Sequence, residues 1–236
     1  MAEILIVTGV VDFIAPAFEP LMTLIGLPPE LALAAVVGIL VGLWNAIILL
    51  FLLVPVSELT TADITVFSAL MLVAHALPME QQIIKRAGPS FTLTFLLRLI
   101  GGFIFAWILH LIFSTTGWLS EPAAPVLIPV DESEGWINFF WGLAETMVII
   151  LLILALLIFA IDALKAIGVM DLLNKLIAPI LRLVGIKGEA VNLTAVGLFL
   201  GIGYGGGLLI REARSGSISQ HQVLLSCVFM GFAHSI

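Results

Sequence analysis

Charge is what this sequence has least of. Only 11% of its 236 residues are Asp, Glu, Lys or Arg, against about 25% in ordinary soluble domains. Basic residues are scarcest, nine Lys and Arg against sixteen Asp and Glu, and no aromatic residues are interleaved with them, which excludes a nucleic-acid partner. A single cysteine, Cys227, excludes an internal disulfide. The chain contains no G-x-x-x-x-G-K-[ST], no H-E-x-x-H and no G-x-S-x-G, so nothing points to nucleotide hydrolysis, a zinc protease or a serine hydrolase, and no enzyme activity is expected. Met1 to Glu3 offer no basic lead-in to the first apolar run, so a cleavable signal peptide is not expected either. What remains is apolar: 61% hydrophobic residues and a mean hydropathy of +1.24, the composition of a chain whose solvent is lipid and whose first partner is the bilayer.

The stretch Val66 to Glu80 has a counterpart in the same chain. Adding 159 carries Ser68, Met71, Ala74 and His75 onto Cys227, Met230, Ala233 and His234. The same offset, without a gap, aligns Gly9, Asp12, Pro20, Gly26 and Glu30 with Gly168, Asp171, Pro179, Gly185 and Glu189. It also aligns Gly38 and Gly42 with Gly197 and Gly201. A register held this long reads as two copies of one unit.

A helix needs roughly 20 apolar residues to cross about 30 Å of hydrocarbon. Clear candidates are Leu31 to Val54, Phe91 to Phe113, Ile137 to Ile161 and Ala190 to Ile210; shorter or more polar ones are Ile4 to Ile25, Ala62 to Leu77, Met170 to Val184 and Gln220 to Ile236. The expected fold is an all-α integral membrane protein of about eight membrane segments, some short or broken. Thr60 with Asp63, and Ser219 with Gln222 at the aligned positions, are capping signals. Pro78 is expected to stop the first histidine helix just after His75, with Arg86 to Pro89 forming a loop.

Loop charges set orientation, because cytoplasmic loops are enriched in Lys and Arg. Residues Ser114 to Gly135 hold three prolines, four acids and no base, and are expected outside. Lys85 and Arg86, one span earlier, are then inside. The turn from Val54 to Thr61 carries Glu58 and no base, while its counterpart holds Arg211 and Arg214. Equivalent turns thus face opposite sides, which makes the copies inverted-topology repeats; Lys187 is the residue that fits this least. The expected organisation is a first repeat over 1–114, an extracytoplasmic joining loop over 115–136 and a second repeat over 137–236, in a bacterial or archaeal cytoplasmic (inner) membrane. Copy two stops before any counterpart of Pro78 and Glu80, so a shortened sequence, or a half supplied by another chain as in a homodimer or with a second membrane subunit, is expected.

Inverted repeats place binding sites near the midplane where the halves meet. An ionisable group there is expensive and by default functional. His75 and His234, at matching positions, are therefore the first candidates, with Glu80 as proton acceptor or oxygen ligand. The structural alternative is a neutral histidine bonded to a backbone carbonyl. Ser68, Met71 and His75 sit at i, i+3 and i+7 and share a helix face. With Cys227 and Met230, residues Met71, His75, Glu80 and His234 are a candidate set for a divalent transition metal, although Met and Cys more often fill helix interfaces. Gly203, Gly205 and Gly206 around Tyr204 lie in a span that is either packed closely on a neighbour or unwound toward a cavity. Asn45 and Tyr204 then supply hydrogen bonds to a solute, with Trp44 for stacking. Asp12 and Asp171 are expected to act as helix caps, His110 and Glu145 to lie on a solvated rim or proton path, and Arg98 to snorkel from the inner end of its helix.

The segment G-I-G-Y-G-G-G-L-L-I-R-E at 201 to 212, the paired histidine motif with Pro78 and Glu80, and the tandem unit together resemble the nucleoside-recognition, or gate-domain, membrane proteins. That group is similar to nucleoside transporters, to spore maturation membrane proteins and to the membrane part of the ferrous iron transporter. The resemblance implies transport or gating, with no GTPase domain ahead of the gate here. Three functions follow as expectations: transport of a small polar, nucleoside-like solute; passage of a divalent metal or a coupling ion; or a non-transporting membrane scaffold.

Overall fold

Helix starts follow the local chemistry. In the computed structural model, which describes residues 10–124, 141, 148, 151–152, 155–156, 159 and 168–233, Thr60 caps the helix Thr61–Ala74 through a full capping box with Asp63. Ser90 accepts from the Leu93 N–H to start Phe91–Thr116. Ser219 receives only half a box: the Gln222 N–H donates to its hydroxyl at 3.4 Å, while the Gln222 side chain accepts from the Lys187 N–H.

The helices, numbered as they occur, are α1 (Val10–Leu24), α2 (Ala32–Leu40), α3 (Leu43–Leu53), α4 (Thr61–Ala74), α5 (Leu77–Ala87), α6 (Phe91–Thr116), α7 (Val169–Leu183), α8 (Glu189–Ser215) and α9 (Gln220–Ala233). No strand occurs among the described residues, which hold one isolated bridge between Thr60 and Pro122. The fold is thus all-helical, as expected. The bounds of α7 are those of α1 displaced by 159, and those of α9 are those of α4 displaced by the same number.

Two compact units are present. One joins Met1–Pro129 with Ile186–Ile236, and the other is Val130–Gly185. In the first, α4 packs along α6, α2 along α1 and α3, and α8 along α9 and α5. Its core gathers Met22, Ile25 and Leu31 with Phe67, Leu70 and Met71, all almost completely buried. The second unit is described through α7, which begins at a left-handed Gly168 and carries Pro179 in its interior.

Two of the described helices are long and apolar enough to cross a membrane, Thr61–Ala87 taken through its internal break and Phe91–Thr116. On α6, Leu96, Ile100, Ile104 and Ile108 form an i, i+4 stripe 42–54% exposed, an apolar surface suited to lipid chains rather than water.

The expected span Leu31 to Val54 is not one helix. Gly42 adopts φ 144°, ψ 166° between α2 and α3, a conformation essentially restricted to glycine, and leaves helices of 9 and 11 residues. Hydropathy does not register such a break, because the residues on both sides remain apolar. The span Ala190 to Ile210 lies within α8, which is interrupted at the aligned residue, Gly201, with φ 73° and ψ 167°. Ile137 to Ile161 falls largely outside the described residues. The histidine helix stops earlier than expected: His75 is already extended and Ala76 left-handed, so Pro78 sits in the first turn of α5. Proline is tolerated there because that N–H has no helical partner. The loop expected from Arg86 begins only at Gly88, since Ala87 completes α5.

A buried ion cluster at a helix break as the candidate site

Ala76 is the hinge of the site. Its φ of 46° is left-handed for a residue with a Cβ, a conformation that costs roughly 1–2 kcal/mol and persists only where the surroundings enforce it. Here its N–H donates to Gly38 O of α2 at 3.0 Å. A Cβ on Gly42 would stand 4.0 Å from the Ala76 methyl, so the two helix breaks lie against each other.

The break turns α5 so that His75, at the end of α4, meets Glu80, one turn into α5. His75 Nδ1 lies 2.8 Å from Met71 O. A carbonyl can only accept, so this nitrogen carries the hydrogen, and Nε2 faces Glu80 Oε1 at 3.5 Å. The other Glu80 oxygen takes a close ion pair from Arg98 Nη1, and Arg98 Nε donates to Val73 O at 2.8 Å. His75, Glu80 and Arg98 are 5%, 6% and 2% exposed. Removing one member of such a buried pair typically costs 3–5 kcal/mol, because the other charge is left uncompensated.

Arg98 therefore does not snorkel. Its stem lies along Gly231 of α9, where an added Cβ would stand 2.9 Å from Arg98 Cδ, and the glycine leaves the lane that carries the guanidinium inward. Sequence reasoning missed this role; the available signal was a lone arginine inside a 26-residue apolar helix. It also missed Gln81. Leu77, Glu80, Gln81, Ile84 and Ala87 form the buried inward stripe of α5, and neither amide atom of Gln81 has a hydrogen-bond partner among the described residues.

The expected residues divide as follows. His75 and Glu80 are brought together, whereas His234, the side chain of Tyr204 and the surroundings of Gly203 and Gly205 fall outside what the structure describes. Asn45 is half-buried on α3, beside a Trp44 that is 70% exposed. The glycine-rich segment shows both expected behaviours: Gly201 is unwound, and Gly206 packs so closely on Ile83 of α5 that a Cβ would collide with it. Met71 and Met230 turn their sulfurs onto Gly38 and Gly197, and Cys227 is buried. Ser68, expected on the same face, is exposed where Met71 and His75 are buried. Among the described residues no three His, Cys, Asp or Glu come together in a way that could hold a metal ion. His110 lines a separate cavity with Gly26, Thr60, Asp63, Ser114 and Trp118. The side chains of Asp12 and Asp171, and all of Glu145, lie outside the described residues.

An uncharacterised Bacillus subtilis membrane protein, YvoD, is 21% identical over 236 residues, which is 97% of this chain and 73% of that protein. No family model and no solved structure matches the chain. That relative, the two apolar helices and the composition agree on a helical membrane protein.

Proposed function

We propose that the chain is a multi-pass transporter of the cytoplasmic membrane, built from two inverted repeats, that carries a small polar, nucleoside-like solute past the His75–Glu80–Arg98 cluster. The observation that carries this reading is the pair of helix breaks, Gly42 and His75–Ala76, set against each other beside three buried ionisable side chains. Discontinuous helices that meet within a bilayer are where transporters expose backbone and charge to cargo. An ionised network would otherwise be a poor choice for stability alone. The inversion is supported by the opposed charges of equivalent turns and by the displaced bounds of α1 and α7, α4 and α9.

The divalent-metal alternative starts from the same His75 and Glu80. Arg98 weighs against it, because a cation already neutralises the carboxylate of Glu80 beside the histidine. A non-transporting scaffold is the remaining alternative.

The test is uptake of labelled nucleosides into proteoliposomes holding the purified protein. His75→Ala is expected to reduce uptake at least tenfold. Absence of uptake by the wild-type protein rejects transport of this solute class, and unchanged uptake by His75→Ala removes the cluster from the pathway.

A further inference from the structure

We infer that Gln81 and the outer nitrogen of Arg98, Nη2, select the solute, and that they select an uncharged molecule carrying an amide or imide. The inference rests on the transport site proposed above and adds the chemistry of what it takes.

Polar atoms in the cluster are otherwise engaged. Arg98 spends Nη1 on Glu80 and Nε on Val73 O, and His75 spends Nδ1 on Met71 O. The exceptions are Arg98 Nη2 and both amide atoms of Gln81, which are buried and have no hydrogen-bond partner among the described residues. Gln81 is 0% exposed and directly follows Glu80 on the inward stripe of α5. Native proteins leave few buried polar groups unpaired, and those they leave call for an explanation. An apolar side chain of the same length, such as leucine or methionine, would fill this position without that penalty. Glutamine is retained where its hydrogen bonds are made to something that comes and goes.

The unused groups describe their complement. Arg98 Nη2 and Gln81 Nε2 are donors, and Gln81 Oε1 is an acceptor. A ligand that matches presents carbonyl oxygens beside an N–H, which is the edge of an amide or imide. Charge narrows the class further. Charge balance sits in the pair itself: Glu80 neutralises Arg98, so the pair offers no net charge to offset that of a ligand. An anion would meet the Glu80 carboxylate and a cation would meet Arg98, each stripped of water.

The test uses the full-length protein in nanodiscs and three probes: uridine, an uncharged imide; 3-methyluridine, which lacks the imide N–H; and uridine 5′-monophosphate, the same base bearing charge. Calorimetry is expected to give binding of uridine and at least tenfold weaker binding of the other two. Gln81→Leu is expected to lose uridine binding by at least tenfold while its thermal unfolding midpoint stays the same or rises, a combination that a packing role would not produce. Unchanged uridine binding by Gln81→Leu, equal binding of the monophosphate, or no binding of uridine by the wild-type protein overturns the inference. Gln81-dependent binding without uptake in proteoliposomes leaves it standing and rejects transport instead; uptake that Gln81→Leu does not alter rejects the inference and leaves transport standing.

Discussion

Met71 lays its sulfur over Gly38, so closely that a Cβ on that glycine would collide with it. The contact brings α4 onto α2 directly beside the helix breaks, and Met230 stands in the same relation to Gly197, in α9 and α8. Small residues at helix crossings allow this approach in membranes, where packing and not water exclusion holds helices together.

Gly38→Val and Gly197→Val are each expected to destabilise the protein by about 1–3 kcal/mol, the usual range for overpacking. The measurement is the thermal unfolding midpoint in detergent. Pairing Gly38→Val with Met71→Ala is expected to recover only part of the loss, since the shortened side chain clears the sulfur but the added Cβ still stands 2.7 Å from the Ala46 methyl. An unaltered midpoint for both single variants would remove the crossing from the account.

How much of this was legible in the sequence depends on whether the controlling contact is local. Thr60 and Asp63 lie three residues apart, and their capping box forms as expected. Gly42 and Gly201 could be aligned from the sequence, but the backbone angles that make them breaks depend on neighbours far along the chain. Arg98 was misjudged for the same reason: its partner Glu80 is eighteen residues away across a turn. Gln81 falls between the expected span Ala62 to Leu77 and the expected loop from Arg86, where the sequence carries no local sign that α5 turns one face inward.

The Glu80–Arg98 pair gives the second prediction. Glu80→Gln leaves the guanidinium buried without its counter-charge, at a cost of about 3–5 kcal/mol. Arg98→Met strands the carboxylate in the same way. The double variant, which removes both charges, is expected to be more stable than either single one. A thermodynamic cycle over the four proteins measures the coupling, and strictly additive losses would show that the two charges do not act as a pair.

Capping provides a third, smaller prediction. Thr60→Ala removes the side chain that accepts the Asp63 N–H, and a loss of about 1 kcal/mol is expected. Ser219→Ala at the start of α9 should cost less, because its bond to the Gln222 N–H is long at 3.4 Å and the Gln222 side chain is directed to Lys187. Unfolding midpoints of the two variants, compared under one condition, give the order. The reverse order would place the stronger cap on α9.

The proposed inversion of the two repeats is testable without any knowledge of the solute. Glu58 and Ser217 occupy equivalent places at an offset of 159, in the turns before α4 and α9, and both are exposed. Cys227 is the one cysteine in the chain, so Cys227→Ala supplies a background in which a single new thiol can be followed. Glu58→Cys is expected to react with a membrane-impermeant maleimide applied outside intact cells, and Ser217→Cys only after the membrane is opened. The charges in the two turns dictate this, Glu58 alone in one and Arg211 with Arg214 in the other. Labelling of both from the same side would make the copies parallel, and the two units could then not approach a common midplane site from opposite faces, which alternating access in such folds requires.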